Sequence, residues 1–202
     1  MFGYVKAQIR EGPAVAVACC TTRYSVSVLG ATDIYVLAGA LADDRESLTL
    51  RDLAAELYVD HTLVHRALKR AETAGLYRTS SKQVNRANFE DLMTHAGRFI
   101  APARLGELTR GVPAAWAAEP ISRIIHQSRQ ELPPVWPDAQ GSVRGQALEP
   151  LHPAAVNASQ HTPALAKLLS IIDSLRAGDV RVRKVAAEEL HRTLTTSRPA
   201  VP

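Results

Sequence analysis

The stretch LTLRDLAAELYVDHTLVHRALKRAETAGLYRTSSKQVNR, Leu48 to Arg86, decides how the chain is read. Thr49 and Asp52 have the spacing of a capping box, in which the hydroxyl accepts from the backbone three residues on and the carboxylate returns the bond. Leu50, Leu53 and Leu57 follow at helical spacing and predict an inward stripe. Asp60 is placed to cap a second helix, whose buried stripe is Val64, Leu68 and Ala71. Gly75 stops that helix, because glycine tolerates the left-handed backbone that a helix end needs. LYRTSSKQVNR then reads as two short strands around a polar turn at Ser80 and Ser81.

Two helices that cross over a short turn need small or apolar residues facing inward. Ala54 is small, Val59 plugs the turn, and Val64 and Leu68 face the core. The outward face of the second helix then carries His61, Thr62, His65, Arg66, Lys69 and Arg70. Such a set mixes phosphate neutralisers with donors able to reach base edges. Its charge is concentrated. Residues 61–86 hold six basic side chains and one acidic, a net +5, whereas residues 41–60 hold two basic and six acidic, a net −4. This asymmetry says more about a polyanion partner than the whole-chain +4 or the isoelectric point near 9.3.

With Leu53-Ala54-Ala55, Val59, Val64, Arg66, Leu68 and Ala74-Gly75-Leu76 leading into a basic hairpin, the chain resembles a family. These are the winged helix-turn-helix transcriptional regulators of bacteria, broadly the MarR-like and ArsR-like kind. The resemblance covers about Thr32 to Phe99, a third of the chain. It implies that the second helix of the motif enters the major groove and that the hairpin wing touches backbone or minor groove. By resemblance, His61, Thr62, His65 and Arg66 would read bases, and Lys69, Arg78, Lys82 and Arg86 would meet phosphates or the minor groove. Tyr58 stands where a glycine is common in the turn, and Asp60 where a serine is common.

Outward from this segment, DIYVLAGALADD (33–44) is apolar on nearly all sides and predicts a buried helix on which the others pack. Asn88 and Asp91 predict the start of a helix carrying Phe89, Leu92, Met93 and Ala96. Residues 1–30 are an extension of uncertain structure with strand-like alternation in AVAVACC and YSVSVLG. Nine of the twelve prolines lie between Pro102 and Pro163, so residues 101–162 read as an extended connector. It would carry a short helix around Ile121–Gln127 and be held against a folded body by Trp116 and Trp136. Leu165, Leu168, Leu169, Ile172 and Leu175 form one stripe and Val182, Val185, Ala186 and Leu190 another. Joined by Ala-Gly-Asp, they predict a C-terminal helical hairpin over 163–196, packed on the N-terminal body or on a second subunit as a dimerisation element. TRGVP (109–113) and VRGQALEP (143–150) share an Arg-Gly, too little to make a repeat.

Several function classes are disfavoured. The two cysteines, Cys19 and Cys20, are adjacent, which suits neither a disulfide framework nor a thiolate zinc site. The early apolar run is at the short limit for a signal peptide, and no segment approaches the ~18 apolar residues of a membrane span. The expected location is therefore cytoplasmic, with no membrane partner. His61 and His65 have the i, i+4 spacing of a metal pair, but HTLVH lacks the glutamate of a zinc protease and no third ligand is evident. No G-x-S-x-G, phosphate loop or dinucleotide fingerprint occurs, so neither an enzyme nor a cofactor is expected.

The expectation is a mainly α protein: a three-helix core with a small β-hairpin wing over residues 31–100, a proline-rich connector and a C-terminal helical hairpin. Its function would be sequence-specific binding of double-stranded DNA as a homodimer, repressing a neighbouring operon. The alternative is a winged-helix interaction module, such as an antitoxin or defence-system regulator that binds a protein partner encoded nearby.

Overall fold

In the computed structural model, which describes residues 28–43, 49–125 and 132–196, the apolar segment forms helix α1, Ala31–Ala42. The Gly30 N–H donates to the Asp33 carboxylate (2.9 Å) and closes the first turn. Ile34, Tyr35, Val36, Leu37 and Ala38 are all buried, so the helix turns no wide face to water. Each large apolar side chain of this kind contributes about 1.5–3 kcal/mol relative to exposure. The strand-like stretches before residue 28, Cys19 and Cys20, and the far end of the helix expected at Ile121–Gln127 lie outside the described residues.

Helix α2, Leu50–Glu56, begins at the expected capping box: Thr49 Oγ1 accepts from the Asp52 N–H (3.2 Å), and the Thr49 N–H donates to Asp52 (3.2 Å). Leu53 and Leu57 are buried, but Leu50 is exposed. As the first residue of a seven-residue helix it lies past the edge of the core, so the predicted three-leucine stripe is two leucines long. In the turn that follows, Tyr58 has φ +53°, a left-handed backbone that favours glycine. That conformation explains why Tyr58 stands out from the sequence pattern.

Helix α3, His61–Thr73, is capped by Asp60, whose carboxylate accepts from the Thr62 N–H (2.7 Å). It ends at Gly75 (φ +73°), where the Leu76 N–H donates to the Ala71 carbonyl and the Gly75 N–H to that of Glu72, a Schellman closure. Strands β1, Tyr77–Arg78, and β2, Gln83–Val84, make the expected antiparallel hairpin with Tyr77 opposite Val84. Helix α4, Arg86–Asp91, starts earlier than expected, because Asn85 supplies the cap. Asn88 instead donates from its side-chain amide to the Gly75 carbonyl (2.9 Å), tying α4 to the end of α3. A π-turn, Leu92–Ala96, carries the helix on into α5, Gly97–Ile100.

The described residues of 101–162 are not an extended connector. They fold into strands β3, Leu105–Pro113, β4, Pro134–Pro137, and β5, Val143–Leu148, with short 3-10 turns at Ala115–Ala117 and Ile121–Arg123 and helix α6, Ala155–His161. Strand β3 runs antiparallel to both β4 and β5, while β4 and β5 pair in parallel, so each strand pairs with the other two. Prolines at strand ends do little harm, since a missing N–H matters only where the ladder needs one. Pro113, Pro134 and Pro137 all sit at such ends.

The C-terminal hairpin is present as α7, Pro163–Ala177, and α8, Val180–Thr196, with Asp179 capping α8 by accepting from the Val182 N–H (2.7 Å). Its apolar stripes are covered within the chain: α7 packs against α1, α5, α6 and α8, and α8 also touches α4. One continuous core thus runs from Ile34 in α1 to Leu194 in α8. Inside it, the indole of Trp136 donates to Asp173 (2.8 Å), Arg176 pairs with the same carboxylate, and Arg176 Nε donates to the Ala101 carbonyl (2.7 Å). Burial pushes the Asp173 carboxyl above its ordinary range although Arg176 and Trp136 act the other way. The molecule is mainly helical. Among the described residues no helix is long and apolar enough to cross a membrane.

Candidate nucleic-acid interface

Helix α3 has two faces of opposite character. Val64, Ala67, Leu68 and Ala71 are buried, while His61, Thr62, His65, Arg66 and Lys69 are exposed. The spacing produces this division, since residues four apart share a face. Arg66 and Lys69 form no ion pair with a carboxylate among the described residues, so their charge is available to a ligand. Strand β1 packs against α3, so the hairpin is joined to the same helix. Arg78 is exposed on β1, and Lys82 is exposed in the turn with φ +52°.

Two of the nine predicted residues are placed elsewhere. Arg70 is half-buried: its Nε lies 3.0 and 3.1 Å from the two carboxylate oxygens of Asp33, and its Nη2 lies 2.5 Å from one of them. The Asp33 side chain is only 3% exposed, so this pair joins α3 to the first turn of α1. The hydrogen bonds to Asp33 push the arginine further up than usual, and it stays charged. Arg86 is not in the wing. It opens α4, is half-buried, and donates from Nη1 to the Leu194 carbonyl (3.1 Å) in α8. Of the six cations counted over 61–86, Arg66, Lys69, Arg78 and Lys82 are therefore the exposed ones.

At the N-terminus of α3, hydrogen bonds from Thr62 hold the Asp60 carboxyl below its ordinary range, and His61 Nδ1 lies 3.7 Å away. An ionised Asp60 stabilises the helix end but repels a phosphate brought to it. Tyr58 lies beside the same turn, its ring tilted against that of His161 with centroids 5.5 Å apart. These two residues border a cleft of about 520 Å³, with Leu53, Leu57 and Leu165 also in its walls. From α1, the Tyr35 hydroxyl donates to the Leu57 carbonyl (2.9 Å), and its ring stacks on His152 with centroids 5.3 Å apart. Burial raises the Tyr35 hydroxyl and lowers the His152 imidazole, which favours the neutral form of both.

Sequence reasoning did not identify Asp33 or Tyr35 as supports of this region. A signal for Asp33 existed: it is the one acidic residue within the apolar run before the closing Asp43-Asp44. No three His, Cys, Asp or Glu side chains converge as a metal site would require, among the described residues. The chain matches no family model, no curated protein and no solved structure.

Proposed function

We propose that the protein is a winged helix-turn-helix regulator of transcription that binds double-stranded DNA. Helix α3 would read the major groove, with the β1–β2 hairpin on the backbone. The observation that carries this reading is the exposed, basic face of α3 together with an exposed, basic hairpin packed on the same helix. His61, Thr62, His65 and Arg66 offer donors and acceptors for base edges. Lys69, Arg78 and Lys82 offer charge for phosphates.

Binding to the DNA upstream of its own gene, measured by anisotropy over a salt series, tests the reading. Affinity should fall linearly with log salt at a slope of about −0.9 per phosphate contact. Arg66→Ala should cost about 1–3 kcal/mol on the preferred sequence and much less on others. Lys82→Ala should weaken all sequences alike and flatten the slope by about one. Salt-insensitive or absent binding would sink the proposal.

The reading extends to a homodimer, since two half-sites about one helical turn apart multiply affinity. The apolar stripes of α7 and α8 are already covered, so a dimer would use another surface; sedimentation with and without DNA decides it. A second reading, a protein-interaction module such as an antitoxin, draws on the cleft at Tyr58, because a partly exposed aromatic beside an apolar cleft suits a protein partner.

A further inference from the structure

The two Arg-Gly dipeptides, too short to count as a repeat in the sequence, meet in the fold. Strands β3 and β5 place Arg110 directly opposite Arg144, with Thr109 opposite Gly145 and Gly111 opposite Val143. Both glycines are buried against β4. A Cβ on Gly111 would fall 2.0 Å from the Trp136 carbonyl oxygen, and one on Gly145 would fall 2.0 Å from that of Pro133. No side chain fits at either position, so glycine is required by the closure of the three strands. Because side chains alternate across a strand, the neighbouring arginines project to the other side, where both are exposed.

Two like charges directly opposite on a sheet repel, and no carboxylate among the described residues offsets them. Neither guanidinium pairs with a carboxylate among the described residues. Arg104 takes Glu149, and the Asp138 carboxylate accepts from the Gln140 N–H and the Gln160 amide. Opposed Cβ atoms lie about 4.5–5.5 Å apart, close enough for both planar forks to close on one tetrahedral anion. We propose that Arg110 and Arg144 form a two-guanidinium site for a phosphate group. A phosphate suits the pair better than a carboxylate, since it offers more acceptor oxygens to two bidentate donors. The phosphate could belong to a nucleic-acid backbone, a source that rests on the DNA-binding reading, or to a free ligand, a source that does not.

The test is the double variant Arg110→Gln, Arg144→Gln in the full chain. Its Tm should equal or exceed that of the wild type, because a repulsion is removed; a clear fall would show that the guanidiniums are satisfied within the fold and would overturn the site. In the DNA salt series the slope should drop by up to about two, one per lost contact, with sequence discrimination kept. In parallel, inorganic phosphate titrated against Tm at constant ionic strength should stabilise the wild type and not the variant if the source is a free ligand. An unchanged slope together with identical phosphate responses rejects the site, whatever α3 does. If Arg66→Ala weakens DNA binding while the double variant alters neither readout, the main reading stands and this one falls alone.

Discussion

Arg70 shows how one side chain on a basic helix can have a role other than its neighbours'. Its partner Asp33 is buried, so removing the guanidinium leaves a carboxylate that keeps the Gly30 N–H but loses its counter-charge among the described residues. Arg70→Ala should cost about 3 kcal/mol, the lower end for a broken buried pair because Arg70 retains 28% exposure. The midpoint of urea unfolding measures it. Lys69→Ala, on the open face next door, should leave that midpoint unchanged and lower the DNA salt slope instead. The opposite pattern, a flatter slope with intact stability in Arg70→Ala, would return Arg70 to the proposed DNA-binding face.

At the scale of elements, α3 is defined at both ends by single residues. Asp60→Ala removes the cap and should lower the urea midpoint, whereas Asp60→Asn keeps an acceptor and should lower it much less. The carboxyl is held below its ordinary range, so its stabilisation is present at neutral pH and is lost only as the pH falls through that depressed value. An amide at this position also lacks the negative charge, so Asp60→Asn should bind DNA more tightly than the wild type; weaker binding would place that helix end away from phosphates. These local devices, Thr49, Asp60 and Gly75, were legible in the sequence because caps and stops act within five residues. The inward and outward faces of α3 were legible for the same reason. The Asp33 partnership was not, since it spans 37 residues and no periodicity reports it. Nor was the three-stranded sheet. Its prolines read as breakers, and only the long-range pairing of β4 with β3 and β5 shows that they sit at harmless ends.

For the whole molecule, the Asp173–Arg176–Trp136 group joins the sheet, α7 and the end of α5 in one buried network. Arg176→Ala should cost about 3–5 kcal/mol near neutral pH, because the buried Asp173 carboxyl keeps the Trp136 indole but loses its counter-charge. Burial already raises the Asp173 carboxyl in the folded state, and loss of Arg176 raises it further. Between the unfolded and folded values the native state holds a proton that the unfolded chain has released, so stability falls as pH rises through that window. The variant's deficit should therefore be smaller at about pH 5 than at about pH 7, read as Tm differences from wild type. A deficit of equal size at both would mean that the bare carboxylate does not carry it.

Helix α1 lies under α3 on one side and α7 on the other, with Ile34, Tyr35, Val36 and Leu37 at 1% exposure or less. A helical segment that shares its central beam with the rest of the body cannot be grafted onto another protein as residues 28–100. The excised piece would present to water the apolar flank that α7 now covers, and would aggregate or recruit a substitute. For hybrid proteins the exchangeable parts are smaller: the outward side chains of α3 and the hairpin turn, rewritten on the intact body.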